Sequence, residues 1–400
     1  MAETVPEALP SGTVIGNYEV LRTLGRGGCA ITYCAQRLGG GDLVAIKEFF
    51  PGELVWRGPD LVPQPRQNAD IRTLQAVGEK FYHEAEIVSR FDHPNLVKGL
   101  EVFEALGTAF LVMKYESGRS LRQRLRAEHG SFEVTPRNLA NLLNALQQGL
   151  DYSHARNCLH CDIKPSNIYL GIDNHPVLLD FGAARDTARA IDPSVSGAVN
   201  LFTAHYAPYE LSEDKVAQIG PWTDIYQLGA VAYRCLTGGK IPDGSERKTN
   251  PSSYWPVSRF SPLPPGDWPK AFLEGIDHAL AFRPDDRPRS VAKWRESMAP
   301  LFASMSRQSD PPPLPSKARE GTVERPIQRD SSPAAKEIPR PAPATTVTVV
   351  PPPSELSQRK EGGGNAPSRD YGRTNPALIV FVVILVFGAL ILLVLAASGN

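Results

Sequence analysis

Residues 160 to 167 read HCDIKPSN, and VLLDFGAAR follows at 177 to 185. The first stretch holds a carboxylate, an ammonium and a carboxamide (Asp162, Lys164 and Asn167), and the second adds the carboxylate of Asp180. NIYL (167–170) and VLL (177–179) have the β-prone composition of two short strands, with the turn residues GIDNHP between them. The hairpin this predicts would bring the four polar side chains together. Such a set suits phosphoryl transfer. Asp162 would orient a substrate hydroxyl and accept its proton, Asn167 and Asp180 would hold Mg²⁺, and Lys164 would stabilise charge on the γ-phosphate. The plainer alternative is a polar surface loop beside an ordinary hairpin.

The flanking sequence divides in two. YEVLRTL (18–24), ITYCAQ (31–36) and LVAIKEF (43–49) are β-prone runs joined by glycine-rich connections such as GGGD (39–42), and they predict a three-stranded antiparallel start. Past residue 120 the pattern is helical. In TPRNLANLLNALQQGLDYSHA (135–155), Thr135 can cap, Pro136 suits the first helical position, and Leu139, Leu142, Leu143, Leu146 and Leu150 mark one apolar face. The expected fold class is α+β, with a small β-rich lobe (about 17–113) joined to a larger helical lobe (about 117–302).

Three features of the first lobe bear on phosphate chemistry. In LGRGGCAITY (24–33), Gly25, Gly27 and Gly28 let backbone approach phosphate oxygens, although a glycine-rich hairpin turn has the same composition and Ala30 stands where a third glycine would complete G-x-G-x-x-G. Lys47 ends VAIK on the third strand, where its ammonium could reach the α- and β-phosphates. Holding it there calls for a carboxylate. KFYHEAEIVSRFDHPNLV (80–97) offers Glu84 on a predicted helix, with Glu86 as a competitor about 200° around it.

These motifs, in this order, resemble a eukaryotic-type serine/threonine protein kinase over roughly residues 17–302, and TAFLVMKYESGRSL, DFGAAR, YAPYE and WTDIYQLGAVAYRCLTG are similar to its bacterial branch. The resemblance implies the bilobal protein kinase fold, ATP with Mg²⁺ (Mn²⁺ as an alternative), and protein substrates with Ser or Thr acceptors, autophosphorylation included. By position, Met113 resembles the gatekeeper, and Lys114 to Glu116, with Tyr115 at the centre, resemble the hinge that receives adenine. Thr203 resembles the threonine that contacts the catalytic aspartate. Glu210 resembles the partner of an arginine, here Arg287, and Asp224 the aspartate that braces the catalytic loop.

The family's usual arginine before the catalytic aspartate is Cys161 here. That arginine pairs with phosphate on the activation segment, and a thiol has no such fork of donors. The resemblance therefore implies a non-RD kinase, in which phosphate on Ser194, Ser196 or Thr203 does not switch activity through that contact. Cys161 itself reads as an inert, partly buried thiol. A pseudokinase scaffold is the alternative, favoured by Ala30 and Cys161 and opposed by Lys47, Glu84, Asp162, Asn167 and Asp180. Small-molecule phosphotransferases of related fold generally lack the segment from Tyr206 to Glu210 with its arginine partner. Residues 51–80 are longer than a short connection needs, and they either cover the nucleotide cleft or lie on the surface.

Forty-three Lys and Arg balance 43 Asp and Glu, so overall charge draws the chain to neither nucleic acid nor anionic lipid. The five cysteines lack paired metal-ligand spacing and suit free thiols. MAETVPEALPSG at the start has neither the basic nor the apolar region of a secretory signal. Residues 303–376 are rich in Pro, Ser, Arg and Glu, and read as a disordered tether. Residues 377–397, ALIVFVVILVFGALILLVLAA, carry no charge and would span about 32 Å as a helix, enough to cross a bilayer core. Arg359, Lys360, Arg369 and Arg373 precede this span, which predicts a single-pass anchor with the N-terminal bulk cytoplasmic, at a bacterial inner membrane. Only three residues follow it, so stimuli would arrive from the cytoplasm, the bilayer or a membrane partner.

Overall fold

The computed structural model describes residues 7–126, 132–186, 205–212 and 218–307. The segments read as tether and anchor, and Ser194, Ser196 and Thr203, lie outside the described residues. Among the described residues, no helix is long and apolar enough to cross a membrane.

The first lobe is a six-stranded antiparallel sheet in the order β1-β2-β3-β4-β8-β7. Its strands are β1 (Val14–Ile15), β2 (Tyr18–Arg26), β3 (Ala30–Arg37), β4 (Leu43–Phe49), β7 (Gly99–Ala105) and β8 (Thr108–Lys114). The three strands expected from sequence form its centre. β4 alternates so that Val44, Ile46 and Glu48 point to one face and Ala45 and Lys47 to the other. On the Lys47 face lies helix α1 (Ile71–Ser89), which seats Phe81, Tyr82 and Ala85 against Ala109 and Leu111. Asp70 caps this helix, accepting from the Arg72 N–H at 3.1 Å and the Thr73 hydroxyl at 2.7 Å.

The opposite face is covered as well. Leu9 and a short hairpin, β5 (Val55–Arg57) with β6 (Pro63–Pro65), pack over Val20, Ile31, Tyr33 and Ile46. Residues 51–66 therefore lie behind the sheet that carries Lys47, away from the face it presents to the cleft. The Arg57 guanidinium is buried there and pairs with Glu48 at 2.7 Å. The Tyr33 hydroxyl donates to the same carboxylate oxygen at 2.7 Å and accepts from the Leu9 N–H.

The second lobe is helical: α2 (Leu121–Arg126), α3 (Pro136–His154), α4 (Tyr209–Ser212), α5 (Pro221–Thr237), α6 (Gly244–Thr249), α7 (Lys270–Ala279) and α8 (Val291–Arg307). α3 begins as its sequence predicts, with the Thr135 oxygen accepting from the Asn138 N–H at 3.2 Å and Pro136 first in the helix. Its five leucines are buried, with Ile225, Leu228 and Val231 of α5 in the same core. In the same lobe, β10 (Cys158–Leu159) pairs with β13 (Arg185–Asp186), and β11 (Ile168–Gly171) pairs with β12 (Pro176–Leu178), Ile168 opposite Leu178. Sequence reasoning anticipates that hairpin but not its third strand, β9 (Gly118–Ser120), which joins the free edge of β11.

Candidate active site

Lys47 and Glu84 meet because β4 aims one into the cleft and α1 packs over the same face. The Lys47 ammonium donates to both Glu84 oxygens at 2.7 Å and to Asp180 Oδ1 at 2.9 Å. Glu86, the competing carboxylate, pairs with Arg90 on its own helix. Burial disfavours charge on Lys47, but Asp180 and Glu84 together hold its ammonium above the ordinary value. Burial pushes Glu84 up against the pull of Lys47. The Lys47 charge holds the Asp180 carboxyl down at about 2, against the effect of burial. Asp180 keeps 48% of its side-chain surface open although protein surrounds it, as expected of a group facing a cleft. Gly182 follows closely: a β-carbon there would stand 3.1 Å from Glu84 Oε2 and 3.3 Å from Asp180 Oδ1.

The catalytic loop is held from below by α5. Asp224 accepts from the backbone N–H groups of His160 and Cys161 at 2.9 and 2.8 Å, and it meets His154 Nε2 at 2.7 Å. Burial opposes ionisation of Asp224, but the His154 bond and the His160 N–H outweigh it and lower the carboxyl below its ordinary range. One helical turn on, the Gln227 amide accepts from the Ile163 N–H at 3.0 Å and donates to the Cys161 carbonyl at 2.9 Å. Asp162 thus sits between two backbone groups fixed by one side chain. Cys161 and Asp180 both adopt left-handed backbone, with φ of 60° and 63°, conformations that persist where surroundings over-determine them. Cys161 is fully buried, more than the partial burial its sequence suggests, and burial pushes its thiol well above the ordinary value.

Above this brace the polar groups converge. Asp162 Oδ2 accepts from Lys164 Nζ at 2.6 Å and from Asn167 Nδ2 at 3.2 Å, and Asn167 Nδ2 also donates to the Asp162 carbonyl at 2.9 Å. Burial raises the Asp162 carboxyl, opposed by the Lys164 ammonium. A raised carboxyl is better matched to proton acceptance than an ordinary aspartate. Phe181 packs between His160 and Phe91, with ring centroids 4.5 and 4.8 Å away. This links the catalytic loop to the residues just beyond α1.

The remaining expected positions lie on or beside the sheet of the first lobe. β2 and β3 meet at a tight turn closed by the Gly27 N–H on the Ala30 carbonyl at 2.8 Å, and a β-carbon at Gly25 would enter open space. Gly28 lies within that turn. Met113 pairs with Ala45, two positions from Lys47 on the same face of β4. Tyr115 accepts from Arg22 at 3.1 Å. These residues fit Mg²⁺-ATP: Asp180 and Asn167 would offer the hard oxygen ligands that Mg²⁺ takes, and Lys47 would supply the phosphate-facing charge. Farther off, Arg287 clamps Glu210 at 2.7 and 3.2 Å with both side chains fully buried.

Sequence reasoning missed Gln227 and His154. Gln227 lies three residues after Asp224, so helical spacing alone places both on one face. His154 closes α3, and nothing local marks it as the partner of Asp224.

A two-lobed fold with this cleft defines the protein kinase class, and the family described as Protein kinase domain matches residues 18–288. The chain belongs to that family. Its curated relatives include bacterial serine/threonine kinases. It is 30% identical over 292 residues to serine/threonine-protein kinase PknD of Mycobacterium tuberculosis, covering 72% of this chain and 39% of that protein. It is 28% identical over 348 residues to serine/threonine-protein kinase PknH of Mycobacterium bovis, covering 86% and 52%. The chain thus spans about half or less of the length of these relatives. Among solved structures, the apo form of PpkA-294 superposes with a TM-score of 0.64 at 30% identity, covering 74% of this chain and all of that one. The Mycobacterium tuberculosis PknI kinase domain shares the fold, with a TM-score of 0.52 at 24% identity, covering 74% of this chain and all of that one.

Proposed function

We propose that the chain transfers the γ-phosphoryl group of ATP to Ser or Thr hydroxyls of proteins. One observation carries this reading: Lys47, Glu84 and Asp180 are joined at 2.7 to 2.9 Å, while Asp162, Lys164 and Asn167 form a second bonded set on the adjoining loop. Mg²⁺-ATP, when bound, supplies the phosphoryl group and the neutralising metal. Glu84 holds Lys47 toward the phosphates, Asp180 and Asn167 offer oxygens to the metal, and the glycine turn approaches the phosphates with backbone. Asp162 orients the acceptor hydroxyl and takes its proton, and Lys164 balances the charge that develops beside it.

The test is to incubate the full-length chain with labelled ATP and Mg²⁺ and map which protein residues acquire phosphate. Label on Ser or Thr that is lost in Asp162→Asn supports transfer. A chain that binds nucleotide yet labels no polypeptide is a scaffold, the reading that Ala30 and Cys161 favour.

Two finer features belong to the same proposal. Cys161 leaves the loop without a guanidinium for activation-segment phosphate, so phosphate on Ser194, Ser196 or Thr203 does not switch activity through that contact; Cys161→Arg should make activity strongly phosphorylation-dependent, and equal dependence in the parent would defeat this. Residues 377–397 tether the enzyme to a membrane, supported by their uncharged length and the cations before them.

A further inference from the structure

The segment before β1 ties the glycine turn to the hairpin behind the sheet. Leu9 is buried in the core that holds Val20, Ile31 and Ile46, and its N–H donates to the Tyr33 hydroxyl at 3.1 Å. Two residues earlier, the Glu7 carbonyl accepts from Arg57 Nε at 2.5 Å. The other two nitrogens of that buried guanidinium donate to the Leu61 carbonyl at 2.8 Å and to Glu48 at 2.7 Å. The backbone at Glu7 is therefore fixed before its side chain makes any contact.

That side chain reaches two further arginines. One carboxylate oxygen of Glu7 pairs with Arg26, and the other with Arg66 at 3.3 Å. Arg26 ends β2 between Gly25 and Gly27, and its guanidinium lies so close to Gly52 that a β-carbon there would stand 2.5 Å from Nη2. Arg66 Nε donates to the Gly52 carbonyl at 3.0 Å. On the other side of the turn, the Phe50 N–H donates to the Cys29 carbonyl at 2.9 Å. The turn is thus held at Arg26 by Glu7 and at Cys29 by Phe50.

Residues 22–28 are all exposed, so apolar burial does little to hold this turn. Arg26 and Glu7 keep 51% and 30% of their side-chain surface open, and an isolated pair of that kind contributes little, because two long side chains must be ordered in water. Here the ordering cost is smaller. The Glu7 backbone is already anchored, and one carboxylate serves two guanidinium groups from different segments.

Resting on the kinase reading above, we infer that Glu7 is a positioning residue for the nucleotide: through Arg26 it holds the glycine turn in the form that receives the phosphates. Glu7 touches neither nucleotide nor substrate. It lowers the ordering cost that an untethered turn would meet on binding, and it leaves the chemistry to Asp162 and Lys164.

The experiment uses the full-length chain and reads three quantities: the Kd of Mg²⁺-ATP, the KM for ATP against kcat, and hydrogen exchange of the amides of residues 24–30 without nucleotide. Glu7→Gln should raise Kd and KM about fivefold, the upper scale of an ordered surface ion pair, with kcat held within about twofold. Exchange at 24–30 should quicken while the amides of α3 stay protected, which separates a loosened turn from a loosened fold. Arg26→Gln should reproduce both changes, and Glu7→Gln/Arg26→Gln should be no worse than either single variant. Glu7→Asp, which keeps the charge, should recover part of the loss. Unchanged or tighter nucleotide binding in Glu7→Gln, unchanged exchange at the turn, or additive losses in the double variant overturns the inference and leaves the kinase reading standing. A parent that shows the expected variant pattern yet labels no polypeptide keeps the positioning role and loses phosphoryl transfer, and a parent that binds no Mg²⁺-ATP takes down both.

Discussion

The Glu48 carboxylate accepts a 2.7 Å bond from Arg57 where neither side chain reaches solvent, one position along β4 from the lysine of the cleft. Lys47 and Glu48 leave the strand on opposite faces, one toward α1 and the other toward the hairpin β5–β6. Burial pushes Glu48 up, opposed by Arg57 and Tyr33, and its Oε1 has no hydrogen-bond partner among the described residues. Removing one member of a buried pair strands the other charge, at about 3–5 kcal/mol, whereas replacing both with apolar groups is often neutral. Arg57→Met should therefore lower stability by about that amount, and Glu48→Leu/Arg57→Met should recover most of it. Urea unfolding checks this, and a double variant no more stable than the single one would refute it.

Asp180 makes stability depend on acid. Its carboxyl is held at about 2 in the folded chain against an ordinary 3.8. A depressed folded value means that the stabilisation is complete above 3.8 and is lost as pH falls toward 2. Glu84 and Asp162, pushed up by burial, work in the opposite sense, so the comparison must be between variants. Asp180→Asn should flatten the fall of the melting temperature between pH 4 and pH 2 relative to the parent. An unchanged slope would show that the Lys47 contact does not set this carboxyl.

Gln227 spans Asp162, binding the backbone on either side of it. Leucine in its place keeps the volume but leaves the Ile163 N–H and the Cys161 carbonyl unsatisfied, at roughly 1–3 kcal/mol for each buried group. Part of that cost should appear as a displaced Asp162. Gln227→Leu is expected to lower kcat by about 10²-fold, the scale of a 1 Å misplacement, with KM for ATP little changed. Steady-state kinetics separates the two, and a loss confined to the nucleotide KM would contradict the assignment.

Membrane attachment is checked by fractionation. With residues 377–397 present, the chain should resist alkaline carbonate extraction, and a chain ending at residue 376 should be released. Equal release of both forms would remove the anchor from the proposal.

The parts of this molecule that were legible in sequence are those where spacing itself constrains space. The alternation of LVAIKEF aims Lys47, the leucines of 139–150 define a buried stripe, and the strands at 167–170 and 177–179 must close a hairpin near Asp162. Arg57 was opaque for the opposite reason: an isolated arginine in a short strand reads as solvated until the distant Glu48, Tyr33 and Leu9 enclose it. β9 was opaque too, since GRS carries no strand signal and pairs only because the edge of β11 is available. His154 needed the fold to bring it to Asp224, seventy residues away.

The pairing of β9 with β11 couples two stretches that sequence alone would treat as separate. Gly118, Arg119 and Ser120 begin two residues after Glu116, and their partners Gly171, Leu170 and Tyr169 begin two residues after Asn167. The positions proposed to receive adenine and to hold the metal are thus referenced to one ladder. Both positions are therefore fixed by the same short sheet of the large lobe, whatever the sheet of β2 and β4 does above them.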